Sequence, residues 1–109
     1  GYWDGSEEFV DVVNNVTDLN RENRIFIEAP LLEMSKAEII QEGARLGVKF
    51  KDTWTCYSDR KDKLADATTP SSSMRVKGFV DAGLKDPIPY VQQEKLDKLY
   101  EENDCKECA

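Results

Sequence analysis

Histidine is missing from all 109 residues, and cysteine occurs only three times. Without imidazole the chain cannot assemble a Ser-His or Cys-His nucleophile pair, nor a His-containing metal site. Three cysteines cannot all pair within one chain, so a disulfide framework is not expected, and a reducing, cytoplasmic setting is. No apolar run approaches the ~20 residues that span a bilayer, and the N-terminus lacks the basic-then-apolar order of a signal segment. Positive charge is also in short supply: 15 Lys and Arg face 22 Asp and Glu, for a net charge of −7. That balance argues against direct binding to a nucleic-acid backbone, which needs clustered cations. What remains is 39% hydrophobic and 34% charged. Such a composition can fold, and a chain of this length is one domain or a piece of one (1–109) with a modest core.

Apolar spacing predicts a mostly α chain with one or two short strands. Ser6 is a good N-cap, Glu7 and Glu8 suit the positive end of a helix dipole, and Phe9, Val13 and Val16 recur at helical spacing, giving a helix over 7–19. Arg24-Ile25-Phe26-Ile27-Glu28 has the β-branched and aromatic content of a strand that ends before Pro30. Ser35 and Glu38 form an S-x-x-E capping box, and Gly47 stands at the left-handed stop of the helix they open. Residues 48–69 read as irregular, with a short extended piece around 48–50. The gap from Ser58 to Ser73 has Leu64 as its only large apolar residue. A third helix carries Val76, Phe79 and Val80 on one face and stops at Gly83. A last amphipathic helix over 91–103 follows, marked by Leu96, Leu99 and Tyr100.

Several segments have a narrower meaning. Gly1-Tyr2, Asp4 and Glu8-Phe9 fit a G-Y-x-D-x-x-x-E-F pattern. Pro30-Leu31-Leu32 with Ser35-Lys36-Ala37-Glu38-Ile39-Ile40 fits P-L-x-x-x-S-K-A-E-I-I. Thr53-Trp54-Thr55-Cys56-Tyr57 fits T-W-S/T-C-Y, and Met74-Arg75, Lys77, Phe79, Ala82-Gly83 and Asp86-Pro87 follow. In this order the segments resemble the C-terminal part of the 7-cyano-7-deazaguanine synthases, the QueC or ExsB family of the ATP pyrophosphatase superfamily. The resemblance implies the C-terminal portion of a Rossmann-like α/β fold of the adenine nucleotide alpha hydrolase type. It also implies an ATP-dependent ligase chemistry of queuosine biosynthesis, in which 7-carboxy-7-deazaguanine is adenylated and converted with ammonia to the nitrile. The family's S-G-G-x-D-S pyrophosphate loop works by letting backbone N–H groups approach phosphates. This chain contains no Gly-Gly pair. Alone it is therefore expected to be inactive and to bind no cofactor, ATP and zinc belonging to the intact enzyme. Its expected partner is the missing N-terminal nucleotide-binding half, or a second copy covering the same apolar face.

The resemblance also assigns candidate residues. Lys36 would approach the nucleotide phosphates, or else is a solvated lysine. Tyr2 and Asp4 would line the deazaguanine pocket, Tyr2 by stacking and Asp4 by accepting ring N–H groups, or else belong to a frayed end. The family binds zinc through the Cys of T-W-S/T-C-Y and a C-G-x-C-x-x-C run. Here Cys56 survives, while Asp66, Thr69 and Ser72 fall at the other three positions. Hydroxyls stay protonated and are poor zinc ligands, so Cys56 is expected as a half-buried free thiol without zinc. Cys105 and Cys108 have C-x-x-C spacing and leave a second possibility open, a relocated site of Cys56, Cys105 and Cys108, against a flexible or oxidised pair. Trp54 and Tyr57 are expected to pack in the core.

Overall fold

The structure is a computed structural model that describes residues 2–108, so Gly1 of the first family-like segment lies outside the described residues. Four α-helices and two short 3-10 turns make up the regular structure among the described residues. Among the described residues there is no strand, only isolated parallel bridges between Ala65 and Tyr90 and between Leu84 and Lys106. No helix among the described residues is long and apolar enough to cross a membrane. Contacts divide the chain into two units, one ending at Met34 and the other beginning at Ser35.

In the first unit a 3-10 turn, Trp3–Gly5, precedes α1, Glu7–Thr17. Ser6 caps α1 by accepting from the Phe9 N–H at 3.1 Å, as its position predicts. Trp3 meets Phe9 edge to face with centroids 5.2 Å apart. The helix stops two residues short of the expected 19. The Thr17 hydroxyl donates to the Asn14 carbonyl, and Leu19 beyond it is exposed, so its burial does not extend the helix. The strand expected over 24–28 does not form. Its residues Ile25, Phe26 and Ile27 are exposed, and the place of a neighbouring strand is taken by one side chain. Asn14 donates from Nδ2 to the Ile27 carbonyl at 3.0 Å and accepts the Ile27 N–H on Oδ1 at 2.7 Å. An amide side chain can satisfy one residue of backbone in this way. It cannot propagate a ladder, and a lone strand is not stable.

The second unit opens with α2, Lys36–Arg45, whose capping box is complete: Ser35 Oγ accepts the Glu38 N–H, and Glu38 Oε2 accepts the Ser35 N–H at 2.7 Å. Gly47, at φ +80°, terminates the helix. Phe50–Asp52 then forms a 3-10 turn rather than the extended piece expected at 48–50, closed by the Thr53 hydroxyl on the Phe50 carbonyl at 2.7 Å. Helix α3, Pro70–Asp81, starts within the expected gap. Pro70 at its first turn lacks an N–H that the helix would not have used there. Helix α4 is Gln93–Glu102.

Helix α2 packs closely on α3 across Gly78, where a Cβ would collide with the Lys36 stem and crowd Ile40. The core gathers Cys56, Ala65, Val76, Ile88, Tyr90, Leu96, Tyr100 and Cys105. The irregular segment before α3 is drawn into it at Ala65, which is fully buried. Its N–H donates to the Pro89 carbonyl and its own carbonyl accepts from Val91 N–H, both at 2.9 Å. Two backbone bonds thus do what a strand would do elsewhere, while the Ser71 hydroxyl, donating to the Thr55 carbonyl at 3.4 Å, ties the segment of Cys56 to the start of α3.

Candidate functional site

The four positions singled out by the altered cysteine run converge. Cys56 is 6% exposed, and its sulfur faces the first turn of α3. Ser58 Oγ lies 2.8 Å from Cys56 Sγ, the Asp66 backbone N–H donates to it at 3.5 Å, and Thr69 Oγ1 lies at 3.9 Å. The Ser72 hydroxyl is buried, has no hydrogen-bond partner, and is close enough to Cys56 to influence its ionisation. Burial on its own would raise the thiol pKa. The Asp66 N–H, the Ser58 and Ser72 hydroxyls and the Ser58 backbone N–H outweigh burial and bring it down to about 6.

This donor set does not fit zinc. One thiol is present where a tetrahedral structural site takes four ligands, mostly thiolates. The Asp66 carboxylate is committed elsewhere: Oδ1 accepts from the Thr68 N–H at 2.9 Å, from the Thr68 hydroxyl at 2.6 Å and from Gln92 Nε2 at 3.0 Å. These bonds hold it below the usual carboxylate range. The second candidate set is not brought together either. Cys105 is buried with Sγ 3.9 Å from the Val80 carbonyl, Cys108 Sγ donates to the Lys85 carbonyl at 3.2 Å, and burial pushes both thiols up. Among the described residues no three His, Cys, Asp or Glu side chains are grouped to hold a metal, and all three cysteines are free.

Beside the thiol lies a second constellation that the sequence did not reveal as a unit. Arg75 and Asp86 are both buried and form a two-point ion pair, Nε to Oδ2 at 2.6 Å and Nη2 to Oδ1 at 2.9 Å. Arg75 also donates to Thr55 Oγ1 at 3.2 Å and to the Phe50 carbonyl at 3.3 Å, and its guanidinium lies over the Phe79 ring. Asp86 accepts in addition from the Tyr90 hydroxyl at 2.7 Å and the Ile88 N–H at 3.2 Å. Burial, and then the Asp86 carboxylate, push the Tyr90 phenol far up, so it remains a donor at any physiological pH. The network ties the T-W-T-C-Y segment to α3 and to the Asp86-Pro87 connector. Arg75 and Asp86 stood in family-like segments, but nothing in their spacing marked them as partners.

Trp54 and Tyr57 do not pack in the core as expected; they are 50% and 85% exposed, and of this segment only Cys56 enters the core. Trp54 instead lies along the surface with its indole N–H on the Cys56 carbonyl at 2.8 Å. Lys36 is exposed at the first turn of α2, its stem lying against Gly78. Tyr2 and Asp4 belong to the first unit, Tyr2 exposed just before the Trp3–Gly5 turn and Asp4 within it.

The family model described as queuosine biosynthesis protein QueC matches residues 1–83. The chain belongs to the QueC family. A 7-cyano-7-deazaguanine synthase of Geotalea uraniireducens is 37% identical over 101 residues, covering 87% of this chain and 44% of the relative. That of Geotalea daltonii is 44% identical over 72 residues, 66% of this chain and 31% of the relative. The 7-cyano-7-deazaguanine synthase 2 of Desulfitobacterium hafniense is 42% identical over 98 residues, 85% and 41% respectively. The chain thus spans well under half the length of these curated relatives. No solved structure matches.

The lowered ionisation of Cys56 has a measurable consequence. A thiol normally titrates near pH 8.5 when unfolded. Because the folded value is depressed to about 6, the thiolate's contribution to stability is complete above the unfolded value and is lost as pH falls through the folded one. Urea midpoints should therefore decline from pH 9 towards pH 6, while the thiolate absorbance of the folded chain holds over most of that range and is half lost only near pH 6. In Cys56→Ser this part of the slope should vanish; an unchanged slope would mean that the sulfur is protonated throughout.

Proposed function

We propose that this chain is the C-terminal part of an ATP-dependent 7-cyano-7-deazaguanine (preQ0) synthase of queuosine biosynthesis, working in a reducing, cytoplasmic setting. The observation that carries the reading is the convergence of Asp66, Thr69 and Ser72 on Cys56, in the order and at the places where the family has its cysteine run. A framework of this kind is a specific inheritance, since nothing in the present side chains requires four such positions to meet. In this reading Lys36 faces the nucleotide phosphates, and Tyr2 and Asp4 face the deazaguanine. The pyrophosphate cradle comes from an N-terminal nucleotide-binding half. Exposed apolar residues of the first unit, among them Val12, Val16, Ile25 and Phe26, are the surface for that half or for a second copy.

A second reading has its own support. The hydroxyl-for-thiolate exchange around Cys56 favours a non-catalytic, zinc-free relative that serves as a binding or assembly module. One experiment separates the two. The chain is incubated with ATP, ammonium and 7-carboxy-7-deazaguanine, alone and with the N-terminal part of the Geotalea uraniireducens relative, and the nitrile is followed by mass spectrometry. The first reading expects product only in the mixture, with no micromolar ATP binding by the chain alone in calorimetry. No product in the mixture, although the two parts associate, would leave the assembly module. Elemental analysis of the pure chain should return well under one zinc per molecule.

A further inference from the structure

We infer that the open groove between α3 and α4 is a docking site for an acidic amphipathic helix of a partner protein. The groove has a volume of about 640 Å³ and lies within the second unit. Its floor is apolar, made by Ala67, Val76, Val80, Leu96 and Leu99. On α3 the lining residues Ser73, Val76, Lys77 and Val80 recur at helical spacing along one face. They extend for about 10 Å at a rise of 1.5 Å per residue. That length accommodates two turns of a guest helix, the unit in which helix-in-groove recognition is built.

Charge identifies the guest. The chain as a whole is strongly acidic, yet the groove is lined by Lys77, Lys95 and Lys98 against Glu102 alone. Lys77 is engaged with Asp81 at 2.5 Å, whereas among the described residues Lys95 and Lys98 form no ion pair. They stand three apart on α4, are themselves exposed, and neighbour Leu96 and Leu99, so two cations border the apolar floor on one rim. A helix with a leucine or valine stripe bordered by glutamates presents the complement.

The polar groups of the groove argue against a small ligand. A small-molecule pocket holds its ligand through a few polar groups aimed inward. Here those groups are already used within the chain. The Thr68 hydroxyl donates to Asp66, the Ser73 hydroxyl donates to the Pro70 carbonyl, and the Gln92 amide bonds to both Asp66 and the Ala67 N–H. What is left is apolar area and exposed rim cations, which suit an extended partner with many weak contacts.

The test uses the full chain with fluorescent peptides of about four helical turns, carrying leucines along one face and glutamates beside them. Binding is read by anisotropy and located by amide shifts along α3 and α4. The expected result is micromolar affinity that weakens at least about ten-fold in Lys95→Glu/Lys98→Glu, both exposed and outside the core. The same peptide with lysine for glutamate should bind wild type no better than it binds buffer-exposed control protein, and should recover affinity for the reversed variant. Three outcomes overturn the inference: no binding at millimolar peptide, binding indifferent to the charge reversal, or tighter binding of decanoate than of the peptide at the same residues. Circular dichroism of the variant confirms that it folds, so a lost affinity cannot be assigned to unfolding.

Discussion

Arg75→Met should lower the unfolding free energy by about 3–5 kcal/mol, the usual consequence of leaving one member of a buried ion pair without its partner. The expected loss is large because Asp86, buried beneath the guanidinium, would keep only the Tyr90 hydroxyl and the Ile88 N–H as donors. Thr55 Oγ1 would lose its donor, and the Phe50 carbonyl would keep only its bonds from Thr53, loosening the segment that carries Cys56. Domains have only about 5–15 kcal/mol of stability in total, so this loss is a large fraction of the whole and should lower the urea midpoint markedly. The double variant Arg75→Met/Asp86→Leu removes both charges and should be more stable than the sum of the single losses by at least about 1 kcal/mol. Urea titration of the four proteins measures this. Strict additivity would mean that the two side chains act independently and that the network does not organise the unit.

How much of this was legible beforehand differs between elements for physical reasons. The capping box at Ser35 and the stop at Gly47 are local chemistry: a side chain meets backbone three residues away, and a glycine takes a backbone angle that others avoid. Such signals need no knowledge of the rest of the fold. The segment 24–28 failed the other way. Its composition is that of a strand, but strand structure depends on a neighbour, and the described residues provide only the Asn14 amide. The α3 start was concealed because Pro-Ser-Ser-Ser has no apolar periodicity; its first turn is held by Pro70 and by burial of Ser72 instead. The convergence on Cys56 was readable only through the family pattern, whereas the Arg75–Asp86 pair, eleven residues apart across a helix end, could be seen only in three dimensions.

Asp66→Cys, Thr69→Cys and Ser72→Cys together should turn the present cluster into a four-thiolate zinc site with Cys56. The spacing supports this. Zinc–sulfur bonds of about 2.3 Å in a tetrahedron place sulfurs about 3.8 Å apart, and Thr69 Oγ1 now lies 3.9 Å from Cys56 Sγ. Ser72, 1% exposed, already holds its hydroxyl close enough to Cys56 to lower the thiol's pKa, so a sulfur at that position would enter the same volume. Asp66 presents its backbone N–H to the sulfur, and its carboxylate bonds to Thr68 and Gln92 are the interactions the change would forfeit. Against that loss, metal held only by the folded state at about a thousand times its dissociation constant adds about 4 kcal/mol. For a chain of this size that should raise the melting temperature by on the order of 15 °C in zinc over chelator. Cobalt substitution should give the intense visible absorption of tetrahedral thiolate coordination. The wild-type chain, with a single thiol at this cluster, should show neither response. A triple variant that folds but melts at the same temperature with and without zinc would mean that the four positions do not share the family's frame, and with it the reading of this segment as an altered metal site would fall.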